Sequence, residues 1–250
     1  MKILENFKYG ENEMQIMDVH IPEGVDEFPV FVNFHGGGLE KGRHSQKFIP
    51  DLCKKGVAVV TATYRKYPDA KYPEFIEDGA TVVKWAFDNM KKYGKIKGFF
   101  VGGTSAGAYI SMMLCFDQRY LKKHGISNAD ITGYYFNTGQ ITTHFNVLKE
   151  RGIDPKRLIV DEAAPLYHVS SDAEYPPMEY TVTTNDLPLR NEQHELLFGV
   201  LKNQGHDMDK VTFVIKEGEK HGAYITHTDE NGNYIFAQMI YNFIKKYLDK

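Results

Sequence analysis

Hydrophobic and polar positions fall into two kinds of pattern along this chain. Met14–Ile21 alternates apolar and polar residues and stops at Pro22, which predicts a half-exposed strand near a sheet edge. Val30–Phe34, Val57–Thr63 and Gly98–Val101 are instead short, nearly unbroken apolar runs, the pattern of strands covered on both faces in a parallel sheet. Between them, Phe48–Lys55 reads as a short helix. Phe75–Tyr93 reads as a long one, because Ile76, Ala80, Val83, Phe87 and Met90 recur at three- and four-residue spacing. Tyr109–Phe116 follows the third run and predicts another helix.

The second half repeats the alternation. Ile131–Phe136, Met178–Thr184 and Val211–Ile215 predict strands. Glu192–Asn203, with Leu196, Leu197, Val200 and Leu201 on one stripe, and Phe236–Leu248 predict helices. Strand and helix alternating over the whole length predicts an α/β fold, with a mainly parallel, doubly wound sheet of about eight strands and helices on both faces. The exception is Thr138–Pro177, which carries no strand signal. A structureless loop of that length would be unusual, so a small, cap-like helical insertion is expected at about 138–177. With no repeat or Gly/Ser linker, residues 1–250 are expected to form a single domain.

Composition narrows the picture only a little. The chain is 42% hydrophobic and 25% charged, which excludes a disordered or fibrous protein. Thirty Lys+Arg against thirty-three Asp+Glu give a net charge of −3 with no basic stripe, so neither nucleic acid nor an anionic membrane surface is an expected partner. No apolar run approaches the ~18 residues of a membrane span, and the first residues lack the apolar stretch of a signal peptide. A cytoplasmic location is therefore expected. Cys53 and Cys115 are expected to be reduced core residues. The run Asp229–Asn233 superficially suggests calcium, but its Gly stands fourth where an EF-hand loop needs it sixth. It is expected to be a turn before the last helix, and no metal or organic cofactor is expected.

Two motifs carry chemistry. Gly103-Thr104-Ser105-Ala106-Gly107 lies between a predicted strand and a predicted helix. A serine on such a turn needs small neighbours two residues either side, and its hydroxyl then projects above the sheet edge near the start of a helix. His35-Gly36-Gly37-Gly38 follows the strand Val30–Phe34. Consecutive glycines let backbone N–H groups converge, as an oxyanion requires. A phosphate-binding loop would want a different glycine spacing, which is absent.

With both motifs in this order, the chain resembles an α/β-hydrolase of the esterase group that includes hormone-sensitive-lipase-type carboxylesterases, acetyl esterases and kynurenine-formamidase-like enzymes. Further residues carry the resemblance nearly end to end: Met17–Pro22, Tyr64-Arg65 before Tyr72-Pro73, Glu77-Asp78-Gly79, Ala164-Pro165-Leu166, Asn185-Asp186 and His221-Gly222. In that fold the nucleophile, the acid and the histidine follow one another along the chain. The resemblance implies Ser105 as nucleophile and places the triad carboxylate at Asp186, which closes the strand Met178–Thr184; Asp207 and Glu217 are weaker rivals. The base is expected on the loop after the last strand. Of ten histidines, His221 lies there, whereas His206 precedes that strand, His194 begins a helix and His227 falls in a polar turn. His35 is expected to hold the glycine loop by hydrogen bonds. His20, His44, His124, His144 and His168 are expected to be structural or solvated.

The expected chemistry then runs as follows. His221 takes the Ser105 proton, Asp186 orients the imidazole, and the N–H groups of Gly37, Gly38 and Ala106 hold the oxyanion. The resemblance implies a serine carboxylesterase acting on small or short-acyl esters (acetyl, sugar-linked or phenolic) through an acyl-enzyme. An amidase or formamidase with the same triad is the alternative, and a non-catalytic binding protein on the same fold is a third reading. Leu39 and Tyr109 are expected to face the pocket, and Tyr167 to line it from the insertion. Tyr134, Tyr135, Phe136 and Phe145 either line a pocket for an acyl or phenolic group or pack as core. Arg65 and Asp78 are expected to form a structural polar pair. The expected partner is a small-molecule ester, and a homodimer rests on base rates alone.

Overall fold

Strands that are apolar on both sides need cover on both faces, and here they obtain it. The computed structural model describes residues 1–248. Its strands are β1 (Lys2–Lys8), β2 (Ile16–Ile21), β3 (Glu27–Phe34), β4 (Ala58–Ala62), β5 (Lys95–Thr104), β6 (Gly133–Asn137), β7 (Met178–Asn185) and β8 (Val211–Lys220). They form one sheet in the order β1-β2-β4-β3-β5-β6-β7-β8. The β1–β2 and β2–β4 pairs are antiparallel and all others parallel.

The helices are α1 (Ile49–Lys54), α2 (Glu74–Asn89), α3 (Ala106–Phe116), α4 (Arg119–Lys122), α5 (Phe145–Glu150), α6 (Arg190–Asn203) and α7 (Ile235–Leu248). Successive strand side chains point to opposite faces, and this divides the core in two. Val30, Val32, Val60, Val101 and Tyr134 pack with residues of α2, α3 and α6. Phe31, Val59, Phe100 and Tyr135, one residue along in each strand, pack with α1 and α7. The fold is therefore a doubly wound, mainly parallel α/β sheet, as the patterning predicts.

Three details depart from the expectation. The strand Lys2–Lys8 is mostly exposed, so it has no apolar face for the pattern to reveal, yet it forms the sheet edge outside β2. Ile16–Ile21 is for that reason not half-exposed: five of its six residues are buried. The segment 138–177 holds only α5 and one 3-10 turn at Pro165–His168, the rest being irregular chain. Cys53 and Cys115 are buried and unbridged. Arg65 is ion-paired to the buried Asp78, whose two oxygens also accept from the Arg65 backbone N–H and the Gln15 side-chain amide. Asp229 accepts from the N–H groups of Asn231 and Asn233, which makes its segment a turn before α7.

Candidate active site

β5 ends at Thr104 and α3 begins at Ala106, so Ser105 alone makes the turn between them. Its backbone is left-handed (φ 54°, ψ −113°), a strained state that costs on the order of 1–3 kcal/mol for a side chain other than glycine. The surroundings hold it there. The Ser105 N–H donates to the Asn137 carbonyl at 2.7 Å, and the Tyr109 N–H donates to the Ser105 carbonyl at 2.9 Å. The flanking glycines have no room for a side chain. A Cβ on Gly107 would run into the Phe34 carbonyl, and one on Gly103 would meet both Phe34 and the Gly107 backbone. The serine hydroxyl therefore stands at the C-terminal edge of the sheet, at the start of a helix.

β7 and β8 bring two more side chains to the same edge. His221, the first residue past β8, places Nε2 at 3.0 Å from Ser105 Oγ. Its Nδ1 lies 2.5 Å from Asp186 Oδ1. The Asp186 side chain is almost wholly buried, and burial by itself would raise its pKa. The hydrogen bonds from His221, the Leu187 N–H (2.7 Å) and the Thr183 hydroxyl (2.9 Å) outweigh that and hold the carboxyl below its ordinary value. Asp186 is thus ionised at neutral pH. An ionised acceptor keeps the imidazole proton on Nδ1, which leaves Nε2 to accept from the serine hydroxyl.

The glycine loop closes the other side. Gly37 and Gly38 have φ of 117° and 66°, conformations suited to glycine. Gly36 backs directly onto Ser105: a Cβ on it would lie 3.4 Å from the serine Cβ. The Gly37 carbonyl accepts from Glu40 and Lys41, which closes the turn. His35 donates through Nδ1 to the Gly36 carbonyl at 2.5 Å and stacks on Tyr64, whose hydroxyl donates to the His35 carbonyl at 2.8 Å. Burial pushes the His35 pKa down to about 4, so this ring is a neutral strut. Among the described residues nothing accepts from the N–H groups of Gly37, Gly38 or Ala106. Ala106 is the first residue of α3, where no intrahelical acceptor exists.

Residues 17–148, more than half of the chain, match the family model described as BD-FAE. The chain belongs to the BD-FAE family. The matched stretch of this BD-FAE member contains the glycine loop and Ser105 and ends before Asp186 and His221. The same chain is 32% identical over 101 residues to a gibberellin receptor of Arabidopsis thaliana, covering 37% of this chain and 29% of the receptor. It is 30% identical over 115 residues to kynurenine formamidase of Salmo salar, covering 44% of this chain and 38% of that enzyme. The matches to gibberellin receptors span less than a third of the receptors' own length. A truncated carbohydrate esterase from gut microbiota shares the fold over all of this chain and 97% of its own, with a TM-score of 0.77 at 16% identity. That likeness establishes the α/β-hydrolase fold of the BD-FAE member.

Ser105, Asp186, His221, Gly37, Gly38 and Ala106 come together in this BD-FAE member, but two of the expected pocket residues, Leu39 and Tyr109, turn away into the core. Leu39 turns into the core and is fully buried. Tyr109 is also fully buried, its hydroxyl donating to the Ala163 carbonyl at 2.6 Å and its ring set beside His144. Being one helical turn from Ser105 sets the residue on the helix's packed side, not on its open end. Tyr167 is 59% exposed beside His168, which lies 3.5 Å from Asp117 just beyond the far end of α3. Tyr134, Tyr135 and Phe136 are core. The Phe145 ring does approach the site, its tip lying against Gly38. Asn137 and Asn146 went unread in the sequence: Asn137 anchors the Ser105 turn, and the Asn146 amide donates to the Gly38 carbonyl. No motif marks either one.

Proposed function

We infer that this BD-FAE member is a serine carboxylesterase hydrolysing small or short-acyl esters, acetyl, sugar-linked or phenolic, through an acyl-enzyme. The observation that carries the reading is the unbroken hydrogen-bonded line from Ser105 Oγ through His221 to an ionised Asp186. In this mechanism His221 Nε2 removes the Ser105 proton as Oγ attacks the ester carbonyl, and Asp186 stabilises the imidazolium that results. The carbonyl oxygen gains its negative charge within reach of the N–H groups of Gly37, Gly38 and Ala106, whose protons are uncommitted. Such donors are worth ~10²–10³ each in rate. His221 then returns the proton to the leaving alcohol, and water repeats the cycle on the acyl group. We read the chain as one α/β-hydrolase domain with its insertion at about 138–177.

The test is hydrolysis of 4-nitrophenyl esters from acetate to octanoate by the wild type and by Ser105→Ala. Rates that favour short acyl chains and vanish in the variant support the reading. Equal rates in both proteins, or none in either, overturn it. A formamidase is the second reading, favoured by the resemblance to the salmon enzyme. It predicts release of formate from an N-formyl arylamine that exceeds acetate release from the corresponding acetyl ester.

A further inference from the structure

Arg190 is a buried cation with no partner of its own. It opens α6 four residues after Asp186, and only 5% of it is exposed. Its Nε and Nη1 are buried without any hydrogen bond, and among the described residues no carboxylate forms an ion pair with it. Burial lowers its basicity to about 10, against the pull of Asp186, so it stays charged at neutral pH. An unpaired charge away from water is costly unless something pairs with it. Proteins place such groups where something else arrives to pair with them, or where a neighbour needs the field.

The surroundings say which space it addresses. The Asp186 oxygens are already taken by His221, Leu187 and Thr183. Asp186 therefore feels the Arg190 charge without pairing with it. One turn along α6, Gln193 accepts from the Ile141 and Thr142 N–H groups, and His194 reaches the Gly139 carbonyl at 2.8 Å. The start of α6 is thus packed against the segment 139–144. That segment leads into Phe145 and Asn146, the two residues touching Gly38. Arg190 accordingly sits at the C-terminal edge of the sheet, between the Asp186 turn and the wall beside the glycine loop. His144 and His194, the nearest other titratable groups, are buried and driven down to about 3. Neither adds a charge there, and neither can neutralise one.

We propose that Arg190 is a specificity residue that receives a carboxylate carried by the substrate, so that the site prefers esters bearing an acid group over neutral esters of the same size. The guanidinium fork matches a carboxylate bidentately, and in a dry site each such bond is stronger than at a surface. The inference rests on the hydrolase reading above for where the substrate lies.

The experiment compares two matched pairs of esters by proton release: monomethyl glutarate with methyl pentanoate, and acetoxyacetate with propyl acetate. The first pair carries its acid on the acyl side and the second on the alcohol side. In the wild type, kcat/KM for one of the acids should exceed that of its neutral match at least tenfold. That ratio should fall at least tenfold in Arg190→Met and be partly kept in Arg190→Lys. A wild type that favours neither acid, or a ratio unchanged in Arg190→Met, overturns the proposal. If both members of a pair slow in parallel, Arg190 only supports Asp186, and the proposal is likewise overturned. Should none of the four esters be turned over, 4-nitrophenyl acetate decides the hydrolase reading by its loss in Ser105→Ala, and calorimetry with Ser105→Ala decides this one. Binding of either acid at millimolar concentration that is lost in Ser105→Ala/Arg190→Met supports it, and absence of binding overturns it.

Discussion

Phe34 and Gly103 stand opposite each other in parallel register at the ends of β3 and β5. The next residues, His35 and Thr104, therefore lie side by side at the sheet's end, and the glycine loop meets the serine turn although the two are far apart in sequence. This lies where the connection after β3 runs to β4 on one side and the connection after β5 runs to β6 on the other. Crevices at such points in open α/β sheets are where ligands bind. The closeness is tight enough that the Phe34 carbonyl occupies the space a side chain on Gly107 would need.

Gly107→Ala should accordingly be destabilising. The obstacle is backbone on an interior strand, which cannot rotate away as a side chain could. Overpacking of this kind typically costs about 1–3 kcal/mol, and a backbone clash belongs at the upper end. Urea unfolding followed by circular dichroism measures it. A midpoint equal to that of the wild type would show that the β3–α3 contact is softer than described.

Asp186→Asn should leave the fold intact and remove most of the activity. An amide at this position no longer holds the His221 proton on Nδ1, and the tautomer that accepts from Ser105 loses its preference. The equivalent loss in serine hydrolases is about 10⁴ in kcat. Initial rates with 4-nitrophenyl acetate check it. A loss below tenfold would point to one of the rival carboxylates, Asp207 or Glu217.

Asn146→Ala tests the support behind the oxyanion loop. Its amide donates to the Gly38 carbonyl, which fixes the plane of the peptide at that glycine. Loosening it should lower kcat about tenfold, a fraction of the ~10²–10³ carried by an oxyanion donor, while KM for a short ester moves little. Asn146→Gln, with the same amide on a longer arm, should recover part of the rate. Equal changes in kcat and KM, without rescue, would indicate a general packing defect.

Stability should fall on mild acidification. Burial drives His35 down to about 4 and His144 and His194 to about 3, from an unfolded value near 6.5. Above pH 6.5 these rings are neutral in both states. As the pH drops below that, the unfolded chain binds protons that the folded chain refuses, at up to about 1.4 kcal/mol per pH unit for each histidine. The stability present above pH 6.5 is thus lost progressively down to the folded values, and the lowered Asp186 carboxyl adds its own loss at lower pH still. The urea midpoint should decrease steeply between pH 7 and 5. A flat midpoint over that range would mean these rings are not buried as neutral groups.

Legibility followed physical visibility. Doubly covered strands announce themselves by unbroken apolar runs, and Ser105 by the small residues its turn requires. Lys2–Lys8 gave no such signal, because an exposed edge strand held by backbone hydrogen bonds needs no apolar side chains. Leu39 and Tyr109 were chosen for nearness along the chain to the glycine loop and to Ser105, and nearness along the chain does not say which way a side chain turns. Arg190 lay just outside the helix expected from Glu192, and no pattern marks it.

What the sequence determined by itself was the fold class and the serine turn, because both follow from local rules, periodicity for the elements and small side chains for the tight turn; the expected acid and base came from the resemblance, which implies their order along the chain. What only the tertiary structure decided was distance and burial. Ser105 Oγ lies within 3.0 Å of His221 across 116 positions of chain, and Arg190 loses its water because α6 docks against residues 139–144. Both are sums of many packing contacts between segments remote in sequence, and no local pattern encodes such a sum.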